Sequence, residues 1–457
     1  MSTEDTQNPS ERNPHSGALF PLPPSQPQES PPPRGRPRVQ RADRHQMAMR
    51  TMALDALLPE DHQARVVWEY VEGLDLSSLY EQIRAVEGHA GRDPIDPKIL
   101  MALWLYATLD GVGSARQLDR LCTDHAAYQW ICGGVSVNYH TLSDFRTAHT
   151  ALLGELLTQS VATLRHEGLV TLRRVAQDGM RVRASAGASS FRRGKTLAAC
   201  LAESEAQVAA LRKELESDPS LATKRQAAAR VRAARERSDR IRKALVAREE
   251  VAAKKKAQGK DPTEARASTT DPEARVMKMG DGGYRPAHNV QFATDTGSQV
   301  ITGVDVVNTG SDQGQMAPMV QQHADRYDQT PDEMLVDGGF AKKEDIDTVS
   351  RPEVGVVVYA PVQKPKKKDR DPHTPRGGDS AAVASWRVRM GTDEAKTIYK
   401  ERASTAECVN AIARNRGLQQ FRVRGLVKVR AVALWYALAH NLVRAATLRA
   451  AAMAKAG

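Results

Sequence analysis

This sequence has few of the features that staple or anchor a chain. Its four cysteines, Cys122, Cys132, Cys200 and Cys408, show no pairing pattern, which excludes a disulfide framework and fits a reducing, intracellular setting. No apolar run approaches the ~20 residues a membrane-spanning helix needs, and the N-terminus lacks the apolar core of a signal peptide. A membrane role is therefore not expected. What the chain does carry is positive charge: 66 Lys+Arg against 55 Asp+Glu give a net +11, with a pI near 9.5. That balance suits a polyanionic partner and leaves the fold open. A length of 457 residues suggests two to three domains.

Residues 1–45 read as a tail, because ten of the 24 prolines fall in the first 37 residues with little apolar clustering to offset ordering entropy. Within it, Pro33-Arg34-Gly35-Arg36-Pro37 matches the core of an AT-hook. There Arg34 and Arg36 would thread the narrow minor groove of A/T-rich DNA; a basic tail without a defined partner is the plain alternative. Residues 46–167 read as short helices. One starts at Leu57–Asp61 with apolar positions Ala64, Val67, Trp68 and Val71. Another is capped by Asp96-Pro97, and a later one is capped by Ser143. Cys122, His125, Cys132 and His140 have a spacing that fits no standard zinc finger, so core cysteines and cap histidines are expected there.

Strand character returns at Val170–Gln177 and Arg181–Ala184. From 195 to 260, Leu197, Leu201, Val208, Leu211 and Leu215, then Val231, Ala234, Ile241 and Leu245, predict an antiparallel helical hairpin around a turn at 217–220. Its arm 221–256 holds thirteen Lys/Arg against four Asp/Glu, either a solvated face or a DNA contact. Tyr284–Thr294 and Gln299–Val307 predict a β-hairpin. A helix (Gln313–Asp325), a strand (Glu333–Val336), a helix (Lys342–Val349) and a strand (Val354–Tyr359) follow. The loop 361–380 carries Lys364, Lys366, Lys367 and Lys368, which serve either phosphate contact or solubility. Helices are predicted over Ala381–Met390, Glu394–Arg414 and Val427–Ala451.

Three acids stand in arranged surroundings. Asp178 follows Arg174-Val175-Ala176-Gln177, and Asp337 follows Glu333-Met334-Leu335-Val336. Each reads as a short buried strand that brings a carboxylate to its C-terminal tip and turns on glycine. Glu407 lies in a long basic helix. The element order puts the first and fourth strands side by side, so acids 159 and 70 residues apart would meet. Three carboxylates suit two Mg²⁺ or Mn²⁺ ions and phosphoryl transfer. Without a cation, their repulsion should raise at least one pKa. Glu394 and Glu401 compete with Glu407 on pattern alone. Arg414, two turns further on the same face, favours Glu407 and could hold the scissile phosphate. His288 and Asn289 either aim at this site or satisfy backbone groups.

Together these residues resemble a bacterial insertion-sequence DDE transposase over most of residues 50–445. Leu58-Pro59-Glu60-Asp61-His62 through Thr141-Leu142-Ser143-Asp144-Phe145-Arg146 is similar to that family's helical N-terminal domain. Val175-Ala176-Gln177-Asp178-Gly179, with Arg183-Ala184, resembles its first-aspartate motif, and Ala287-His288-Asn289-Val290-Gln291 its second strand. Val336-Asp337-Gly338-Gly339-Phe340 resembles the second-aspartate motif. Tyr399 to Gly417 and Phe421-Arg422-Val423-Arg424-Gly425-Leu426 resemble the glutamate-bearing end.

The resemblance implies an α/β, ribonuclease-H-like mixed sheet and Mg²⁺-dependent cleavage and strand transfer. The implied partners are terminal inverted repeats, target DNA and a second copy in a homodimer, and the implied location is the cytoplasm, on the nucleoid. It makes Asp178, Asp337 and Glu407 the catalytic metal ligands, with Tyr399, Arg402 and Arg414 on DNA. Relatives carry Tyr-x2-Arg-x3-Glu-x6-Lys. Here Glu407 comes one residue late and Arg414 replaces lysine. In a regular helix the extra residue rotates Glu407 by ~100° relative to Arg402.

The expected organisation is a tail (1–45), a helical DNA-binding domain (46–167) and a catalytic domain split over 168–194 and 276–446. A helical-hairpin insertion and linker (195–275) and a C-terminal tail (447–457) complete it. A domesticated, non-catalytic DNA-binding descendant and a ribonuclease-H-like nuclease without strand transfer are the alternatives.

Overall fold

The computed structural model describes residues 51–85, 93–217, 224–363 and 371–456. Arg34 and Arg36, the turn residues 218–220, and Lys364, Lys366, Lys367 and Lys368 lie outside the described residues. The described residues from Met52 onward make one compact unit.

After a 3-10 turn at Leu54–Leu57 come α1 (Gln63–Glu72), α2 (Ser77–Tyr80), α3 (Pro97–Leu109), α4 (Ala115–Asp124), α5 (Ala126–Cys132), α6 (Tyr139–Ala148) and α7 (Thr150–His166). Local polar chemistry sets where they start. The Asp96 carboxylate accepts from the Lys98 amide at 2.8 Å, with Pro97 in the first turn, as expected. Two starts differ from the sequence reading. The His62 imidazole caps α1, accepting from the Ala64 amide at 3.1 Å, so the helix begins after Leu57–Asp61. Asn138 caps α6, accepting from the Thr141 amide at 3.0 Å, and Ser143 lies inside that helix.

The chain continues through β1 (Arg174–Arg183), β2 (Phe191–Arg193), α8 (Gly194–Ser217), α9 (Lys224–Ala257), β3 (Arg266–Ser268), β4 (Arg275–Lys278), β5 (Tyr284–Asp295) and β6 (Ile301–Val307). It then forms α10 (Met316–Tyr327), β7 (Glu333–Leu335), α11 (Lys343–Val349), β8 (Val357–Tyr359), α12 (Ala381–Met390) and α13 (Asp393–Arg402). A π-helical turn (Ala403–Glu407), α14 (Cys408–Asn415) and α15 (Leu426–Ala456) complete it.

β1 is the centre of a mixed sheet. It runs antiparallel to β5, with Asp178 opposite Phe292, and parallel to β7, which pairs parallel with β8. The far edge of β5 carries β4 opposite Tyr284–Ala287 and β6 opposite Asn289–Thr294. The strands bearing Asp178 and preceding Asp337 are thus neighbours, as the element order requires. Side chains alternate between the two faces. Met180, Val182, Val290 and Phe292 join the core built by α3, α15 and their neighbours, while Val175 and Ala293 pack with Met316, Met319 and Val320 of α10.

α8 and α9 form the expected hairpin, rooted in the β2–β3 ladder. Its seam buries the expected Val231, Ala234 and Ile241, together with Ala227, Ala244 and Ala247, while Leu245 is only half-buried. α15 corrects the expectation of no membrane-length apolar stretch. By length and composition Leu426–Lys455 could cross a membrane, but 72% of its apolar window is buried in the protein. It is a core helix, packed on α3, α6, α7 and β6.

Candidate active site

Asp178 sits in mid-strand, not at a strand tip. The expected turn at Gly179 does not form, because β1 stays paired with β5 as far as Arg183. Gly179 answers a different need. A Cβ there would overlap the Asp312 carboxylate and the Gln291 amide. Asp312 Oδ1 accepts from Asn289 Nδ2 (2.7 Å) and Gln291 Nε2 (2.8 Å), and its Oδ2 accepts from Arg181 (2.8 Å). A buried polar network therefore backs the strand directly behind Asp178.

Asp337 lies where expected, two residues past β7 and ahead of a Gly338-Gly339 turn. Its Oδ1 accepts from the Gly339 amide at 2.7 Å. The parallel register sets Ala176 beside Leu335, and each aspartate follows two residues later on its own chain. Adjacency and register thus bring the two carboxylates to one end of one strand pair.

The glutamate arrives by a different route. Arg174 on β1 ion-pairs with Glu333 of β7 and with Glu401 of α13, the latter at 2.6 Å, which fastens α13 to the sheet. α13 ends at Arg402, and Ala403–Glu407 form the π-helical turn. Thr405 and Ala406 are buried there, and the Ser404 carbonyl accepts from Gln299 Nε2 at 2.8 Å. A π turn takes one residue more than an α turn. The extra residue is absorbed in that wide turn, and Glu407 Oε1 comes to 2.6 Å from Arg402 Nη1. The rotation of Glu407 away from Arg402 expected for a regular helix does not occur.

Arg402 is buried, and its Nη2 reaches Asp178 Oδ1 at 3.0 Å. Asp178 also accepts from Asn410 Nδ2 (2.9 Å, on Oδ2) and from the Gly179 amide (3.0 Å, on Oδ1). Burial pushes the Asp178 carboxyl above the usual carboxylate range; Arg402 and Asn410 oppose this, and the charge of Asp337 adds to it. One of the acids is raised, as expected, but chiefly by burial and only secondarily by repulsion between carboxylates. Burial likewise raises the Tyr399 phenol, which feels Arg402, Asp337 and Glu407. One electrostatic field therefore joins Asp178, Asp337, Glu407, Tyr399 and Arg402. The Glu407 side chain stays 55% exposed, which leaves the cluster open to solvent on that side.

Arg402 stands between Asp178 and Glu407. Among the described residues, no three His, Cys, Asp or Glu side chains are grouped closely enough to hold an ion. The donor chemistry nonetheless fits a hard divalent cation. The oxygens are carboxylates, and Asn410 Oδ1, on the amide that holds Asp178, is buried without a hydrogen-bond partner. Exchanging the guanidinium for such an ion would keep the acids neutralised.

Arg414 lies exposed near the end of α14 and joins none of these contacts. His288 and Asn289 do not reach the cluster. His288, opposite Val182, pairs with Asp271 at 3.1 Å, both side chains fully buried. Asn289 points to the other face of the sheet, toward Asp312 and Thr309. His125 is a cap, accepting from the Ala127 amide at 3.3 Å, and His140 lies against Tyr139 with ring centroids 4.0 Å apart. Sequence reasoning passed over Arg174, Asp312 and Asn410. Only Asn410 left a signal, a polar residue three positions after Glu407 beside the buried Val409.

Two segments of the chain match known families. Residues 52–148 match the Transposase domain (DUF772), and residues 364–446 match the Transposase DDE domain. The second match contains Tyr399, Arg402, Glu407 and Arg414 but neither aspartate. No curated protein and no solved structure matches the chain.

Proposed function

We propose that this chain, an insertion-sequence DDE transposase by its two family matches, cleaves and joins DNA strands at Asp178, Asp337 and Glu407. The observation that carries the reading is the Arg402 bridge. One buried guanidinium pairs with both Asp178 and Glu407, acids 229 residues apart in sequence, while the charge of Asp337 acts on Asp178. The bridge draws together acids from the sheet and from a late helix, and a catalytic role accounts for the desolvation that Asp178 bears. The sheet supports a ribonuclease-H-like reading: β6, β5 and β1 run antiparallel, β7 and β8 add in parallel, and β4 is an extra strand on the edge of β5, with Asp178 on β1 and Asp337 just after β7.

Asp178, Asp337 and Glu407 would hold two Mg²⁺ or Mn²⁺ ions. Such ions make an attacking water or 3′-hydroxyl more acidic and offset charge on the leaving 3′-oxygen. The protein's own groups do the rest. Asn410 and the Gly179 amide hold Asp178 in one orientation. Arg402 neutralises the acids before substrate arrives and, once displaced, is available to a DNA phosphate together with Tyr399. Arg414, projecting from α14, would hold the strand further along.

The helical region 46–167 would recognise terminal inverted repeats, and the split region 168–194 and 276–446 would act on them and on target DNA. A homodimer would process both ends, on the nucleoid in the cytoplasm. The deciding experiment incubates the protein with its flanking inverted repeats, a target plasmid and Mg²⁺. Joined products support the reading. Nicking without joining indicates a nuclease, and binding without nicking a non-catalytic descendant.

A further inference from the structure

Away from the carboxylates, a cavity of about 610 Å³ lies between the loop after α3, α6 and the segment 417–422. Arg146 lines it and is only 7% exposed. Its Nη1 donates to the Gly113 carbonyl at 2.7 Å, its guanidinium lies 4.5 Å from the centre of the Trp104 ring, and its Nε is buried with no acceptor. Among the described residues, no carboxylate lines the cavity. Arg422, also on the wall, is exposed, and neither it nor Arg146 makes an ion pair among the described residues.

A third guanidinium, Arg416, adds to the field. The charges of Arg146, Arg416 and Arg422 all act on the Tyr436 phenol, whose hydroxyl donates to the Arg416 carbonyl at 2.9 Å. A buried cation without a counter-charge is costly, and an apolar side chain could fill the same place against Trp104 without that cost. An anion in the cavity would supply that counter-charge.

The cavity is tied to the catalytic sheet. The Arg183 amide at the end of β1 donates to the Gln419 carbonyl at 3.1 Å, and the Phe421 amide donates to the Arg183 carbonyl at 2.8 Å. From Glu407 the helix α14 leads in nine residue steps, about 13.5 Å, to Arg416, next to Gly417 of the cavity wall. A strand laid along that helix, with phosphates recurring every ~3.4 Å of duplex axis, would pass about four nucleotides.

We propose that the Arg146–Arg422 cavity binds a phosphodiester of the DNA substrate, a few nucleotides from the scissile bond. The proposal rests on the reading of DNA as substrate. It adds a site in which the helical region and the C-terminal segment jointly grip the backbone and so set the strand's register at Glu407.

The test uses the full chain as wild type, Arg422→Gln, Arg146→Gln and the double variant, each checked for cooperative thermal melting. Inorganic phosphate is expected to raise the wild-type melting temperature more than chloride does at equal ionic strength, and to lose this advantage in every variant. Duplex DNA carrying an element end is expected to bind Arg422→Gln about tenfold more weakly, with a salt slope smaller by about 1. The double variant should lose less affinity than the sum of the two single losses, because both groups hold one phosphate. If Arg146→Gln does not fold, the exposed Arg422→Gln still decides. Unchanged DNA affinity and salt slope in Arg422→Gln overturn the proposal. So does a phosphate effect without a DNA effect, which assigns the cavity to a free anion. Failure of the functional reading looks different: element-end cleavage would survive Asp337→Asn while the Arg422→Gln binding defect stayed in place.

Discussion

Arg402 Nη1 and Glu407 Oε1 lie 2.6 Å apart although five residues separate them along the chain. In a regular α-helix, residues five apart diverge by about 140° around the axis, whereas residues four apart share a face. The π-helical turn Ala403–Glu407 closes that gap. Through the second arm of Arg402 it ties the helix to Asp178 on the central strand.

Removing one residue of that turn, for instance Ser404, should convert it to α-helix and leave the glutamate four residues after Arg402, on the same face. The expected result is cleavage well above the level of Glu407→Gln, with the melting temperature within a few degrees of wild type. Cleavage reduced to the level of Glu407→Gln would show that the wide turn itself, and not only the face it restores, is needed to present Glu407.

Arg402→Ala leaves Asp178 facing Glu407 without a counter-charge. The cost should be about 2–3 kcal/mol in metal-free urea unfolding, below the ~3–5 kcal/mol for a fully buried pair because Glu407 is half exposed. Mg²⁺ or Mn²⁺ should restore more of that loss than Na⁺ at equal ionic strength. Equal responses to all three salts would show that the guanidinium does not stand in for a divalent cation.

Asp337→Asn should abolish strand cleavage, by about a thousandfold or more, while DNA affinity stays within about threefold of wild type. The carboxylate is half-exposed, and its Gly339 contact can pass to the amide oxygen, so the fold should survive. Joint loss of binding and cleavage would mark Asp337 as structural.

Acid should destabilise the protein through two buried histidines. Burial lowers His323 and His440 to about 4 from an ordinary 6.5, so the folded state binds fewer protons than the unfolded chain between those values. Their contribution is present above pH 6.5 and is lost as pH falls toward 4, by up to ~3 kcal/mol each. His323→Gln, which can keep a contact to Thr302, should flatten the stability–pH profile over that interval in urea titrations. An unchanged slope would remove His323 as a cause.

Much of the sheet was legible because its signals are local. Apolar runs ended by glycine or by Asp295-Thr296-Gly297-Ser298 mark β5, β6 and β7, and the heptad-like leucines mark the hairpin. Misread features had competing local chemistry. Gly179 looked like a turn and is a mid-strand gap for Asp312. His62 and Asn138 capped helices that Leu57–Asp61 and Ser143 had seemed to start. α15 reads as a long apolar stretch, and only its neighbours make it a core helix.

By itself the sequence pointed to β1, β5, β6, β7 and β8, to the order that makes β1 and β7 neighbours, and to Asp178, Asp337 and Glu407 as candidates, since these depend on side-chain period and glycine placement; the short strands β2, β3 and β4 were not expected. Tertiary structure alone decided that a π turn restores Glu407 to Arg402, that Asn410 and Asp312 brace Asp178 from either face, and that Arg146 is buried without an acid. Those outcomes depend on which side chains meet across elements far apart in the chain, and no local pattern encodes that.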